Sequence, residues 1–303
     1  MAEDIPFDRR FDAIAGVADE VAPGVRRVLA PNAGPFTFTG TCSYIVGHGE
    51  VAIIDPGPDD PTHVAALLAA VRGETVTHVI LTHTHRDHSG ALAAIVAHTG
   101  AATYGEGPHR AARALHAGEV NTLDAAADRA FLPDVALADG ARIAGRGWAL
   151  TALATPGHTA NHMAFALEDA GLIFVGDHVM AWSTSIVAPP DGAMSDYMAS
   201  LHRLRARPET FYLPGHGGPV REGHAFVERY IRHREARETA ILRALARGPM
   251  SIPEIVRAIY IGLNPRLFYA AGLSTLAHLE DLVGRGEVLT EGPAAFDGTF
   301  RLG

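Results

Sequence analysis

Lysine and glutamine are both absent from this 303-residue chain, so all 25 basic residues are arginine. We read that as the codon bias of a GC-rich genome, not as chemistry. Cysteine occurs once, at Cys42, which excludes an intramolecular disulfide and fits a reducing compartment. No apolar run is long enough to span a membrane. The opening stretch, MAEDIPFDRRFD, is charged and lacks the apolar segment of a secretory signal. The expectation is therefore a cytoplasmic protein with no membrane partner. A basic tail is missing too, and the formal net charge is −9, which argues against nucleic acid as a partner. No internal repeat and no low-complexity segment stands out.

Hydrophobic residues make up 48% of the chain, enough for one large domain and a small one. VAIIDPG (51–57) is a β-branched run stopped by Pro-Gly, the mark of a buried strand. PTHVAALLAAVRG (61–73) reads as a helix, THVILTH (77–83) as a strand, and SGALAAIVAHTG (89–100) as a helix capped by Ser89. That alternation predicts an α/β architecture. From about 130 to 175, VALADGARIAG, WALTALATPG, HMAFALED and LIFVGD read as a meander of strands. Helices return at 195–207 and 222–248. After Gly248 come two short helices and a hairpin, the outline of a winged helix. The expected division is residues 1–248 and residues 249–303.

The stretch LTHTHRDHSG (81–90) crowds His83, His85, Asp87 and His88 into six positions. Four such groups are poor core material and good metal ligands, and a loop between a strand and a helix can turn them toward one point. More candidates sit where other β runs end at glycine turns: His158 in TPGHT, Asp177 in LIFVGDH and His216 in FYLPGHGG.

This order, HxHxDH followed by H, D and H, resembles the metallo-β-lactamase superfamily over about residues 25 to 220. The tail makes the chain similar to the β-lactamase-like protein 2 branch. The resemblance implies a four-layer αβ/βα sandwich with a small C-terminal winged-helix domain. One metal would then be held by His83, His85 and His158, and a second by Asp87, His88 and His216, with Asp177 bridging. Asp55, in IIDPG, would orient a ligand. Two divalent ions, Zn2+ before iron or manganese, would give a bridging hydroxide that attacks an acyl or phosphoryl centre. Asp87 would also accept or relay a proton.

Other residues divide less sharply. His162 and His178 are candidates for lining the site, and Trp182, Ser183, Thr184 and Ser185 for one wall of a substrate pocket. The remaining histidines, among them His63, His109 and His278, read as ordinary. Cys42 reads as a small core residue. Residues 224–247 carry six arginines against three glutamates, a face that suits solvent, a homodimer contact or an anionic substrate. The winged-helix segment has four arginines against six carboxylates, net −2, the wrong sign for gripping phosphates.

Fold alone leaves the substrate open. Only 38 residues separate Asp177 from His216, too few for the inserted domain of the large nucleases of the superfamily. The tail differs from the basic helical domain of glutathione-thioester hydrolases. Secreted β-lactamases usually lack the Asp87 position. The reading is a hydrolase of small esters, thioesters or lactones. The alternatives are a single-strand endoribonuclease, with RNA as substrate, and a DNA-binding regulator with a vestigial metal site.

Overall fold

Strands whose residues are apolar on both faces must be covered on both faces, and two sheets with helices outside them are the solution this chain adopts. The computed structural model describes residues 5–121 and 126–303. Among these, a seven-stranded sheet runs β1 (Ala18–Ala22), β2 (Val25–Leu29), β3 (Cys42–His48), β4 (Glu50–Ile54), β5 (Thr75–Ile80), β6 (Ala102–Gly105), β7 (Val135–Ala136). Neighbours are antiparallel up to β4 and parallel from β4 onward. Helix α1 (Pro61–Ala70) makes the crossover from β4 to β5. Asp60 caps it, accepting from the amides of Thr62 and His63, and Pro61 opens it. Helices α2 (Arg86–Ser89) and α3 (Leu92–Thr99) lead from β5 to β6.

The second sheet has the order β12-β11-β10-β9-β8: β8 (Arg142–Gly145), β9 (Trp148–Ala154), β10 (Met163–Leu167), β11 (Leu172–Gly176) and β12 (Phe211–Pro214). The first four form an antiparallel meander, and β12 joins parallel to β11 after helix α4 (Met194–Arg205). Helix α5 (Gly223–Leu245) packs beside α4.

Tyr44, Ile54, Leu150, Phe165 and Phe174 fill the space between the sheets. Val28, Ile45, Ile53 and Val79 face α1 and α3, while Ile173, Val175, Tyr212 and Leu153 face α4 and α5. The result is the expected αβ/βα sandwich. Ile53 and Ile54 are fully buried on opposite faces of β4, each contributing about 1.5–3 kcal/mol by leaving water.

Two local expectations need correction. The helix expected over 89–100 is split: Ser89 Oγ donates to the His85 carbonyl inside α2, and Ala91 holds the cap position of α3. The chain needs that extra turn to swing Asp87 and His88 inward. The run VALADGARIAG is divided between the sheets, because Gly140, at φ +76, turns the chain from β7 in one to β8 in the other.

The tail comprises β13 (Met250–Ser251), α6 (Ile252–Ile259), α7 (Phe268–Gly284), β14 (Val288–Thr290) and β15 (Thr299–Leu302). Its sheet has three strands, β13-β15-β14, one more than the expected hairpin. Ile241 and Leu245 of α5 belong to the same apolar cluster as Ile255, Leu279 and Phe300. The last turns of α5 therefore serve as the first helix of the winged helix. No helix among the described residues is long and apolar enough to cross a membrane.

Candidate metal centre

Five strand ends meet at one edge of the sandwich. Asp55 follows β4, His83 follows β5, His158 follows the turn after β9, Asp177 follows β11, and His216 follows β12. The two sheets are tied together there: the Cys42 amide donates to the Gly215 carbonyl (2.8 Å), and Tyr44 Oη donates to the Pro214 carbonyl (2.7 Å).

All seven sequence-nominated ligands converge. Three groups each bring their ligand atoms within 4.8 Å of one another: His83, His85 and His158; His83, His88 and Asp177; Asp87, His88 and His216. His83 Nε2 and His158 Nε2 each lie 3.0 Å from His85 Nδ1. His216 Nε2 lies 3.3 Å from both Asp87 Oδ2 and Asp177 Oδ2. His88 Nε2 lies 3.4 Å from Asp177 Oδ1, a buried oxygen with no hydrogen-bond partner among the described residues. The approach is close enough to demand glycine at 215, where a Cβ would sit 2.6 Å from both Asp177 Oδ1 and His88 Cε1.

The outer hydrogen bonds decide which ring nitrogen faces the cluster. Thr82 Oγ1 gives its only proton to Asp55 Oδ2 (2.7 Å), so it accepts from His83 Nδ1 (3.0 Å). His88 Nδ1 donates to Asp55 Oδ2 (2.9 Å), His158 Nδ1 to the Ile186 carbonyl (2.6 Å), and His216 Nδ1 to the Gly40 carbonyl (3.3 Å). Four rings thus hold an Nδ1 proton outward and turn Nε2 inward. His85 Nδ1 can donate to only one of the two lone pairs it faces.

Charge completes the argument. Burial, then the imidazoles of His88, His85 and His158, holds His83 well below the ordinary histidine range; burial and His158 push His85 down to about 3. His88 and His216 go the other way. Burial opposes their protonation, but Asp87, Asp177 and Asp55 outweigh it at His88, and Asp177 with Asp87 raises His216 to about 9. For Asp177, burial pulls upward and is overcome by His216 and His88, which hold the carboxyl well below its usual range. A site that draws protons onto two histidines to neutralise two carboxylates is one that accepts cations. The donor set therefore fits divalent metal ions with nitrogen and oxygen ligands.

Above the cluster lies a cavity of about 410 Å3, walled by Phe36, Met180, Ile186 and Ala188 and floored by His85, Asp87, His158, Asp177 and His216. A larger groove of about 1160 Å3, bordered by Gly24, His48 and Trp148, lies at the opposite strand ends and holds none of the cluster. Residues 182–185, expected as one wall, are not among those that line this cavity. Trp182 stacks on Phe38 (4.9 Å), the Ser183 carbonyl accepts from Tyr230 Oη, the Thr184 carbonyl accepts from Ser183 Oγ, and Ser185 Oγ donates to the His178 carbonyl. Val179, Ala181 and Val187 are drawn into the core under α4 and α5, which leaves Met180, Ile186 and Ala188 facing the cavity.

His162 and His178 do not line the cavity either. His162 stands behind the cluster, its Nδ1 2.9 Å from Thr155 Oγ1 and its Nε2 accepting the Asp177 amide (3.2 Å). His178 packs on Tyr197 and is pushed to about 3 by burial. Cys42 is buried, its thiol raised to about 11, and is no nucleophile. Sequence reading passed over Asp191 and His109: Asp191 lines the cavity, with Oδ2 3.3 Å from His109 Nε2. Only a polar residue in a Pro-Pro-Asp-Gly turn hinted at it.

A two-sheet sandwich with a His/Asp cluster at its loop edge defines a class of metal-binding α/β proteins. The chain belongs to the metallo-β-lactamase superfamily, whose family model matches residues 36–216, and residues 251–295 match the β-lactamase-associated winged helix domain. It is 31% identical to the lactamase-like protein vrtG of Penicillium aethiopicum over 88% of this chain and 86% of that one. Identity is 30% to the β-lactamase-like protein 2 homolog of Caenorhabditis elegans (75% and 72% covered). It is 28% to the atrochrysone carboxyl ACP thioesterase of Aspergillus terreus (80% and 73% covered). The crystal structure of the metallo-β-lactamase family protein TTHA1429 from Thermus thermophilus superposes with a TM-score of 0.75 at 26% identity, covering 94% of this chain and all of that one.

Proposed function

We propose that this chain is a cytoplasmic metal-dependent hydrolase of small esters, thioesters or lactones, with a thioester the favoured class. One observation carries the reading: inward imidazole nitrogens and two carboxylates floor a cavity whose walls are apolar. His83, His85 and His158 would hold one ion, Asp87, His88 and His216 the other, with Asp177 shared. When bound, the ions, zinc before iron or manganese, supply Lewis acidity and make water a competent nucleophile near neutral pH.

The chain's own groups do the rest. Phe36, Met180, Ile186 and Ala188 hold an acyl group and keep bulk water from it. Asp87 lines the cavity and is the carboxylate placed to take a proton from water at Oδ2 or pass it to the leaving group. Arg86, exposed at the rim, offers a guanidinium to an anionic carrier of the acyl group. The A. terreus relative is named as a thioesterase of a carrier-bound acyl chain, which supports this substrate class. Against a DNA-reading role stands the charge of the winged-helix segment, with four arginines against six carboxylates.

The test joins elemental analysis of the purified protein to a panel of chromogenic esters, thioesters, lactones and unstructured RNA. Thioester turnover abolished by chelation is expected, with Asp87→Ala lowering kcat by about 10²–10⁴. Cleavage of RNA alone, or retention of duplex DNA without hydrolysis, would overturn the reading.

A further inference from the structure

A winged helix that reads DNA must expose to the groove the recognition helix, the second of its helix-turn-helix pair. Here that helix, α7, is buried along Ala271–Leu273 and again along Thr275–Leu279. Ala271, Leu276, Leu279 and Leu282 face the winged helix's own core, while Ala277 joins the cluster of α4 and α5, so one side of the helix packs on the catalytic half of the same chain.

Polar ties run from this interface to the cavity. Arg234 of α5 is only 4% exposed. Its Nη1 donates to Ser274 Oγ of α7 (3.4 Å), its Nη2 donates to the Ser185 carbonyl, and its guanidinium lies 5.1 Å from the Tyr197 ring. The next residue after Ser185 is Ile186, whose side chain walls the cavity and whose carbonyl accepts His158 Nδ1. A second tie joins Glu280 of α7 to Arg113 (2.7 Å), and Arg113 also pairs with Glu119 (2.6 Å). Asn121, two residues on, donates to Asp191 of the cavity.

We propose that the winged helix is an internal buttress of the catalytic cavity, and that Arg234 is a positioning residue for His158 and Ile186. The buried guanidinium leaves the Ser185–Ile186 segment one place to sit. That place fixes both the acceptor that orients a ligand imidazole and one wall of the acyl pocket. The winged helix is thereby committed to its own catalytic domain as a partner.

The inference rests on the metal-site reading above, and its test separates the two. Full-length wild type, Arg234→Met, Arg234→Lys and Arg237→Met are loaded with zinc and titrated with a chromophoric chelator. Arg237 serves as control: it donates to the Ile259 carbonyl and stacks on Tyr260, touching nothing of the cavity segment. Arg234→Met should release zinc about tenfold more readily, the usual scale for a group that orients a ligand. It should raise KM for a thioester more than it lowers kcat, and Arg234→Lys should recover part of both. Amide exchange across 183–188 should quicken in Arg234→Met and not in Arg237→Met. Equal zinc affinity, KM and exchange in the two methionine variants would overturn the proposal. If wild type takes up no zinc, the metal reading fails and amide exchange alone decides the buttress. If Arg234→Met does not fold, Ser274→Ala carries the test. A shift of roughly threefold in zinc release, the weight of one weak hydrogen bond, is expected, and no shift sinks the idea.

Discussion

Asp55 concentrates several constraints in one side chain. Its backbone sits at φ +51, a region few side chains tolerate, and its carboxylate accepts from the Thr82 amide, Thr82 Oγ1 and His88 Nδ1. Asparagine tolerates the same backbone but presents a neutral oxygen and an amide where the carboxylate was. Asp55→Asn should weaken metal binding through His88 by about 10–100-fold while leaving circular dichroism unchanged. Chelator titration reads this directly, and an unaltered affinity would remove Asp55 from the site. The convergence of the seven candidate ligands could be expected from sequence because metal chemistry favours their types and their glycine turns are local. The roles of Arg234, Asp191 and His109 could not, since each gains meaning only from a partner brought near by folding. Arg234 stood in the sequence as one of six arginines on a helix; burial alone sets it apart.

At the scale of elements, the strand ends and the helix after each parallel strand could be read from β-branched runs and Gly or Pro stops. Splitting of the helix at 89–91 could not, because Gly90 packs against the backbone of Pro58 and Asp59, a contact made only by folding. The arginines of residues 224–247 divide for a similar reason, with Arg243 and Arg247 left exposed to solvent. Arg234 turns inward, Arg237 caps Tyr260, and Arg232 pairs with Glu228. Contact between α1 and β3 gives a pH prediction. His63 of α1 is buried with Nε2 2.9 Å from Ser43 Oγ, and burial, only partly offset by Asp60, pushes it to about 4. The unfolded chain binds a proton near pH 6.5 that the folded chain refuses. Stability from this group is therefore complete above 6.5 and falls by about 3 kcal/mol as pH drops to 4. Urea unfolding of metal-free protein at pH 7 and 4.5 should show a smaller loss in His63→Gln than in wild type. Equal losses would mean His63 does not carry the effect.

On the scale of the whole molecule, the candidate ligands come from both sheets. His83, His85, Asp87 and His88 belong to the first, and His158, Asp177 and His216 to the second. Bound ions would staple the halves together, so chelation should lower Tm as well as activity. At a free metal concentration of 100 Kd the linkage is worth about 2.7 kcal/mol. Calorimetry with and without chelator, followed by zinc readdition, checks it, and an unchanged Tm would show that the ions do not bridge the sheets. The sandwich and the winged helix were legible as architecture. Their mutual docking was not, because α7 carries no mark in its own residues of what will cover it.

The distance along the chain from His88 to His216 is 128 residues. A ribosome adding about 5–20 residues per second needs roughly 6–26 s to travel it. Throughout that interval the early histidines would offer any cation an incomplete set of ligands. Correct loading thus becomes a matter of timing, settled only when translation delivers the last imidazole.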